Sequence, residues 1–394
     1  MRHAAHHLIA VAIALALALA GARASAPAPD GLREPAPSVR AHVADAFVPN
    51  DLVSVALASG ATPLQWNFAG PFGVGAPDAW GNLVAAGAPG GAGVTVAVLD
   101  TGVAYATRRP YVRSPDLGAA RFVPGWDFVD GDRYPFDLNG HGTHVASTIA
   151  EETNNGYGLT GLAYGARIMP VRVLDRFGAG DAVTIARGIR FAADHGAKVI
   201  NLSFSFDARV TDRQIPQVLQ AIDYATAAGS LVVAAAGNQG QPAIAYPARA
   251  ASVLSVGGTT ENGCLASYSN VGPEVDLVAP GGGKDAYLLD DPGCVPGRAG
   301  RPIYQMTTRW PRLNRFRITP FVGTSMATPH VSATAALVVA SGVLGASPTP
   351  AAIVERLTQT ARDLGAPGFD PRYGWGLVAA AAATAPAVPE PPTP

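Results

Sequence analysis

From residue 94 onward the chain alternates between short, mostly apolar runs and stretches of helical period. Residues 94–99, 168–174, 199–204, 231–236, 253–256 and 275–278 have the length and composition of strands. Most are apolar throughout, as strands covered on both faces require. In 181–195, Ala182, Ile185, Ile189 and Ala193 recur every three or four residues, and in 211–228 Ile215, Val218, Ile222 and Ala225 do the same. This alternation predicts an α/β fold, a mostly parallel central sheet with helices on both faces. Ligands of such sheets bind beyond the carboxyl ends of the strands, so chemistry is expected in the residues that follow each strand.

The beginning of the chain breaks the pattern. Arg2 precedes an uncharged apolar run at 8–20, and Ala24-Ser25-Ala26 supplies a small-x-small cleavage site. Residues 1–26 therefore read as a secretory signal peptide. Its run of 13 residues is short for a bilayer span, which takes about 20. No other apolar run is long enough, so the expected product is secreted, soluble and monomeric, without a membrane anchor. A second membrane would leave it in a periplasm.

Composition narrows the partners. Lys+Arg total 28 against 29 Asp+Glu, a formal charge of −1 that becomes −3 once Arg2 and Arg23 leave with the signal. A near-neutral chain is not a nucleic-acid binder, and 48% hydrophobic residues exclude a disordered one. An exported chain meets oxidising conditions, so Cys264 and Cys294 are expected to pair, closing a loop worth roughly 3 kcal/mol. Residues 27–60 form an N-terminal extension without clear period, and 383–394 a Pro-rich tail. Between them, 61–382 is the expected folded domain.

Four blocks carry chemistry. Leu99-Asp100-Thr101-Gly102 follows the first strand, and Asn139-Gly140-His141-Gly142-Thr143-His144 opens an apolar helix. Ala235-Ala236-Gly237-Asn238 follows the strand at 231–236, and Gly323-Thr324-Ser325-Met326-Ala327 precedes a helix at 326–341. Singly these are weak signals. Together they supply what acyl transfer needs: a serine nucleophile, an imidazole to take its proton, a carboxylate to hold the tautomer and an amide for the oxyanion.

The blocks VAVLDTG, GHGTHVA, VVAAAGN and GTSMATPHVS resemble those of the subtilisin-like serine proteases, in the family's order Asp, His, Ser. The resemblance covers about residues 80–380 and implies a secreted serine endopeptidase. It assigns Asp100 as the orienting carboxylate, His141 as general base and acid, Ser325 as nucleophile and Asn238 as oxyanion donor, with the Ser325 N–H as the second donor. His144 and His330 take structural roles, and His195 and His42 lie at the surface. Substrate adds as a strand between 174–180, with Leu174, Gly178 and Gly180, and Ser203-Phe204-Ser205. The specificity pocket is walled by Ser203, Phe204, Ser205, Ala235, Ala236 and Gly237, with Ala245 near its base. None is acidic, so bulky apolar or neutral residues are expected before the cut. Ser205 stands where the family usually has glycine.

The resemblance also implies structural calcium, a cation that takes six to eight oxygens. Thr153, Asn155, Tyr157 and Leu159 match the family's calcium loop, with Asp116 as the carboxylate and Gln65 a further oxygen. Asp127 and Asp132 mark a second site in a loop similar to the thermitase-like branch. Two features depart from the family: only a short stretch precedes the domain where a prosegment is usual, and the insertion 281–321, with its arginine run at 309–317, is long. The extension is then a short propeptide or contains the mature N-terminus at Val48-Pro49-Asn50-Asp51. The insertion reads as a tolerated surface loop or a rim of the cleft on the leaving-group side. Two rival functions stand beside the endopeptidase. One is a peptide-binding module that keeps the fold without turnover. The other is an α/β-hydrolase esterase, which expects G-x-S-x-G and the order Ser, acid, His; here Ala327 stands two residues after Ser325.

Overall fold

The computed structural model describes residues 46–51, 64–118, 121–291 and 293–386. The expected signal peptide at 1–26, His42, most of the 27–60 extension and the end of the tail lie outside these residues.

The six expected strands form as β1 (Thr95–Asp100), β3 (Arg167–Arg172), β4 (Val199–Leu202), β5 (Leu231–Ala235), β6 (Val253–Thr259) and β7 (Leu277–Pro280). A seventh, β2 (Trp126–Asp127), pairs with the outer edge of β3, and every pairing in the order β2-β3-β1-β4-β5-β6-β7 is parallel. The third strand ends at Arg172 rather than at 174 because Val173 and Leu174 turn across the end of β1, both donating to the Asp100 carbonyl. The period-two alternation of β1 divides the molecule into two cores: Val96 and Val98 face one cluster, Ala97 and Leu99 the other.

The second cluster is covered by α4 (Ala182–Asp194) and α5 (Pro216–Ala227), whose apolar faces are those read from the sequence. Asp181 caps α4, its carboxylate accepting from the N–H groups of Val183 and Thr184. The first cluster holds α2 (Ala76–Ala85), α3 (His141–Ala150), α6 (Thr324–Ser341), α7 (Pro350–Gln359) and α8 (Ala380–Thr384). A short α1 (Trp66–Ala69) precedes them. Residues 324–338 of α6 are buried on every side, so the helix runs through the core against β4 to β7. Its buried hydroxyls turn back to carbonyls one turn earlier, Thr328 to Thr324 and Thr334 to His330, each at 2.8 Å. Pro329 removes a single ladder bond, the one to the Ser325 carbonyl.

Cys264 and Cys294 are joined, with their Cα atoms 5.7 Å apart. The insertion is no featureless loop: β8 (Ile303–Arg309) and β9 (Arg312–Phe321) form an antiparallel hairpin turning at Trp310-Pro311. At the ends, α8 runs to Thr384, past the expected domain limit at 382. Part of the extension packs on the domain, with Phe47 against Trp80 and Tyr164. Among the described residues no helix is long and apolar enough to cross a membrane.

Two buried imidazoles brace the frame. His330 Nδ1 lies 2.8 Å from the Met326 carbonyl and Nε2 2.8 Å from the Asn67 amide, a pattern that fits only the neutral ring. His144 Nε2 faces the carbonyls of Ile303 and Thr319, holding the hairpin to α3. Burial pushes His330 down to about 4 and His144 down to about 3, the latter helped by His141 and Arg309. An unfolded histidine takes up its proton near 6.5, so the unfolded chain binds more protons below that pH, and these two groups contribute stability that is lost as pH falls. Neither ring should titrate in the folded protein between pH 8 and 5. Their imidazole NMR resonances check this, and a midpoint near 6.5 for either would contradict the buried, neutral assignment. His195, by contrast, is exposed at the end of α4.

Candidate active site

The four expected catalytic residues stand at or just beyond strand and helix ends. Asp100 ends β1 fully buried, and Oδ1 accepts from the Thr101 N–H at 2.7 Å. Both carboxylate oxygens face His141 Nδ1, at 2.8 and 3.0 Å. His141 is the first residue of α3, behind Gly140 at φ 108°. The approach of α3 to β1 needs Gly142, because a Cβ there would lie 2.1 Å from the Gly102 carbonyl oxygen and 3.0 Å from the Asp100 Cβ. His141 Nε2 is buried and without a hydrogen-bond partner, and no hydrogen bond joins it to Ser325 among the described residues. Such contacts are often loose in ligand-free enzymes and tighten when substrate binds.

Sequence reasoning missed the residue that sets His141 in place. Asp137 is buried and accepts five hydrogen bonds, from the Thr101 and Thr143 hydroxyls and the backbone N–H groups of Asn139, Gly140 and Thr143. It ties the start of α3 to the end of β1. Burial raises its pKa, and the donors from Thr143, Gly140 and Asn139 pull the other way. An acid four residues before a helical histidine was the available signal, as a candidate cap.

Ser325 lies in the first turn of α6, 5% exposed, where backbone N–H groups have no partner within the helix. Asn238 sits beside it, its Oδ1 accepting from both the Thr324 N–H at 2.8 Å and the Thr324 hydroxyl at 2.9 Å. With the acceptor end anchored, the Nδ2 donor end has no hydrogen-bond partner among the described residues. Gly237 makes the turn into Asn238 at φ 111°; a Cβ there would lie 2.4 Å from the Asn270 amide.

Leu174 is buried, and Gly178 adopts φ 78° in a turn where its N–H donates to the Asp175 carbonyl. Gly180 approaches the turn beyond β3 closely enough that a Cβ would meet the Val173 carbonyl oxygen at 2.5 Å. Ser203, Phe204 and Ser205 follow β4 as buried residues, not as its continuation, which ends at Leu202. Ser203 Oγ accepts from Asn201, whose own Oδ1 accepts from Ser332 of α6. Ala245 donates its N–H to the Ala236 carbonyl at 3.0 Å, which sets it beside Ala235, Ala236 and Gly237.

Asp116 reaches the loop of Thr153, Asn155, Tyr157 and Leu159. Its oxygens accept from the Asn155 amide and the Leu159 N–H, both at 2.9 Å. Asn155 Oδ1 accepts from the Tyr157 N–H, and the Thr153 hydroxyl bonds that of Thr160. Gln65 stays apart, exchanging hydrogen bonds with the Thr160 backbone. The second carboxylate is instead Asp51, buried and accepting from the N–H groups of Asn154 and Asn155. Only a pairing across more than 100 residues reveals it. Burial pushes Asp116 up to about 6, and the charges of Asp51 and Glu152 add to it. At Gly158 a Cβ would lie 1.9 Å from an Asp116 oxygen, so the loop fits closely around the carboxylate. Among the described residues no group of three or more acidic, histidine or cysteine side chains is placed to hold a metal.

In the other acidic loop, Asp127 pairs with the buried Arg172 at 2.7 Å, and Asp130 does so at 2.6 Å. Asp132 accepts from the Tyr134 N–H and pairs with Asp127 through the backbone. A guanidinium thus bridges two of the loop's three carboxylates, Asp127 and Asp130, where a second cation was expected.

Fold and family together define a hydrolase of the serine-endopeptidase class. The sequence pattern of the subtilase family matches residues 91–376, and the chain belongs to that family. It is 40% identical over 273 residues to thermitase of Thermoactinomyces vulgaris, covering 69% of this chain and 82% of that protein. Subtilisin Savinase of Lederbergia lenta is 39% identical over 297 residues, covering 75% and 91%. A thermophilic serine proteinase of Bacillus sp. strain AK1 is 42% identical over 253 residues; the match covers 64% of this chain and 54% of that protein. A solved structure of a protease from Pseudoalteromonas arctica PAMC 21717 has a TM-score of 0.67 at 31% identity, covering 86% of this chain and 98% of that one. These memberships remove the esterase alternative.

Proposed function

We propose that this serine endopeptidase is exported through residues 1–26 and cleaves proteins through an acyl-enzyme, with Ser325 as nucleophile. The observation that carries the reading is the buried Asp100–His141 hydrogen bond, which leaves the opposite ring nitrogen as an acceptor. Asp100 holds the proton on Nδ1, so Nε2 is basic and takes the Ser325 proton as the hydroxyl attacks the substrate carbonyl. Negative charge develops on the carbonyl oxygen, where Asn238 Nδ2 and the Ser325 N–H donate to it. His141 then hands its proton to the departing amine. A water molecule, activated by the same imidazole, releases the acyl group. The pocket of Ser203, Phe204, Ser205, Ala235, Ala236, Gly237 and Ala245 offers no carboxylate to a basic side chain, so apolar or neutral residues are preferred before the cleaved bond.

The purified protein should hydrolyse casein, and phenylmethylsulfonyl fluoride should stop it. Folded, calcium-supplied protein that leaves casein intact would favour the peptide-binding module instead.

Calcium fits the loop at Asp116. Asp51, Asp116 and Asn155 with the carbonyls of Thr153, Tyr157 and Leu159 would hold it, two carboxylates and four neutral oxygens. The ion supplies stability, drawing together acidic groups that burial otherwise penalises. Chelation should lower the melting temperature by about 5–10 °C, the effect of losing a ligand present at some hundredfold its Kd. Asp116→Ala should melt at the same temperature with and without chelator. An unchanged melting curve for the original protein under chelation would exclude the site. For the loop at Asp127 and Asp132, the Arg172 ion pairs favour a solvated acidic loop over a second ion.

A further inference from the structure

The hairpin β8–β9 has no part in the reading above. Residues 309–317 carry Arg309, Arg312, Arg315 and Arg317 and no acid, in a chain of net charge −1. All four are exposed, and among the described residues none is in an ion pair. The hairpin is fastened to the catalytic edge. Thr307 donates its hydroxyl to the Gly140 carbonyl at 2.5 Å, and Arg317 stands directly opposite Thr307 in the ladder. Phe321, at the end of β9, stacks on His144 at 4.5 Å between ring centres and lies nearly parallel to His141 at 6.3 Å. The Arg309 guanidinium sits 4.9 Å over that Phe321 ring, one aromatic ring removed from the general base.

A fifth guanidinium extends the row. Arg176, in the loop after β3, lies over Trp310 at 5.4 Å and Phe177 at 4.7 Å. Its carbonyl accepts from Asn139, two residues before His141. The neighbouring acid, Asp175, is engaged by the N–H groups of Phe177 and Ala179. The hairpin borders His141 through Phe321 and the Gly140 carbonyl; with 203–205 and 235–237 read as the acyl side of the cleft, it takes the leaving-group side. If His141 protonates the departing amine, the chain beyond the cleaved bond runs out along this edge.

We infer that the arginine row of the hairpin binds carboxylates of the substrate residues that follow the cleaved bond, so that the enzyme selects protein segments acidic on their leaving-group side. The inference rests on the peptidase reading. Arginine is the suited residue: its planar fork takes a carboxylate through two parallel N–H···O bonds, where lysine offers a single point of charge. The chain's two lysines, Lys198 and Lys284, both lie outside the hairpin.

The test uses internally quenched peptides identical up to the cleaved bond and followed by two glutamates, two glutamines or two lysines. The glutamate peptide should exceed the glutamine peptide in kcat/KM by about tenfold at low ionic strength, approaching parity at 1 M NaCl as exposed pairs are screened. Replacing Arg312, Arg315 and Arg317 together by Gln should cut that ratio below about twofold, and replacing them by Glu should turn the preference to lysine. Arg315→Gln alone should give part of the fall. A ratio below about twofold in the original protein at low salt, or an unchanged ratio in variants that melt normally, would overturn the inference. A p-nitroanilide substrate has no residue beyond the cleaved bond and tests the peptidase reading separately. Its turnover without discrimination among the peptides sinks the arginine row alone, and failure to turn it over sinks the peptidase reading.

Discussion

Ser325→Ala should lower kcat on casein or a peptide anilide about a million-fold, the scale known for the nucleophile of subtilisin itself. The neighbour of Ser325 in the first turn of α6, the Thr324 hydroxyl, is already committed to Asn238 Oδ1 at 2.9 Å, which leaves Ser325 as the hydroxyl free to react. A residual rate of about 10³–10⁴ over water should persist, because the oxyanion donors and the substrate cleft remain. Little stability is at stake, since Ser325 makes no side-chain hydrogen bond among the described residues and alanine fits the helix. Steady-state kinetics with a melting curve separates the two effects. Hydrolysis at the original rate by a folded Ser325→Ala protein would remove Ser325 from the chemistry.

Asn238→Ala should lower kcat by about 10²–10³ with KM nearly unchanged, because its donor acts on charge present only in the transition state. That magnitude, too, is the one measured on subtilisin. The structure separates the two ends of the amide: Oδ1 is committed to Thr324 at 2.8 and 2.9 Å, and only Nδ2 is left for substrate. Alanine also strips the partly buried Thr324 N–H of its acceptor, which should cost about 1–3 kcal/mol of stability. Asn238→Asp keeps that acceptor and lacks the donor, so it should lose at least as much rate while destabilising less. Equal kcat in the original protein and both variants would show that the oxyanion is held elsewhere.

The strands were legible because they are buried on both faces and read as near-continuous apolar runs; α4 and α5 were legible because one face alone is buried. The hairpin was not. In β9 the burial of Thr319 and Phe321 is separated by exposed Pro320, while Arg312, Arg315 and Arg317 face solvent, and a bulge breaks the register after Thr307. No period survives to be read. Asp137 was passed over for a different reason: an acid before a helix looks like any cap, and its five donors come together only in the folded chain. Asp51 was passed over because it reaches the Asn154–Asn155 backbone from more than 100 positions upstream, a distance that sequence spacing does not fix.

The sequence by itself determined the alternating β and α frame and the residue types at its strand and helix ends. Those follow from short-range periodicity and from the few side chains able to serve acyl transfer. Only the tertiary structure decided the partners that no motif names: Asp137 with Thr101 across 36 positions, Asn238 with Thr324 across 86, and Asp51 with Asn154 across 103. The order of strands in the sheet brings these residues within hydrogen-bond reach, and that order is fixed by the packing of the two cores together, which no local pattern encodes.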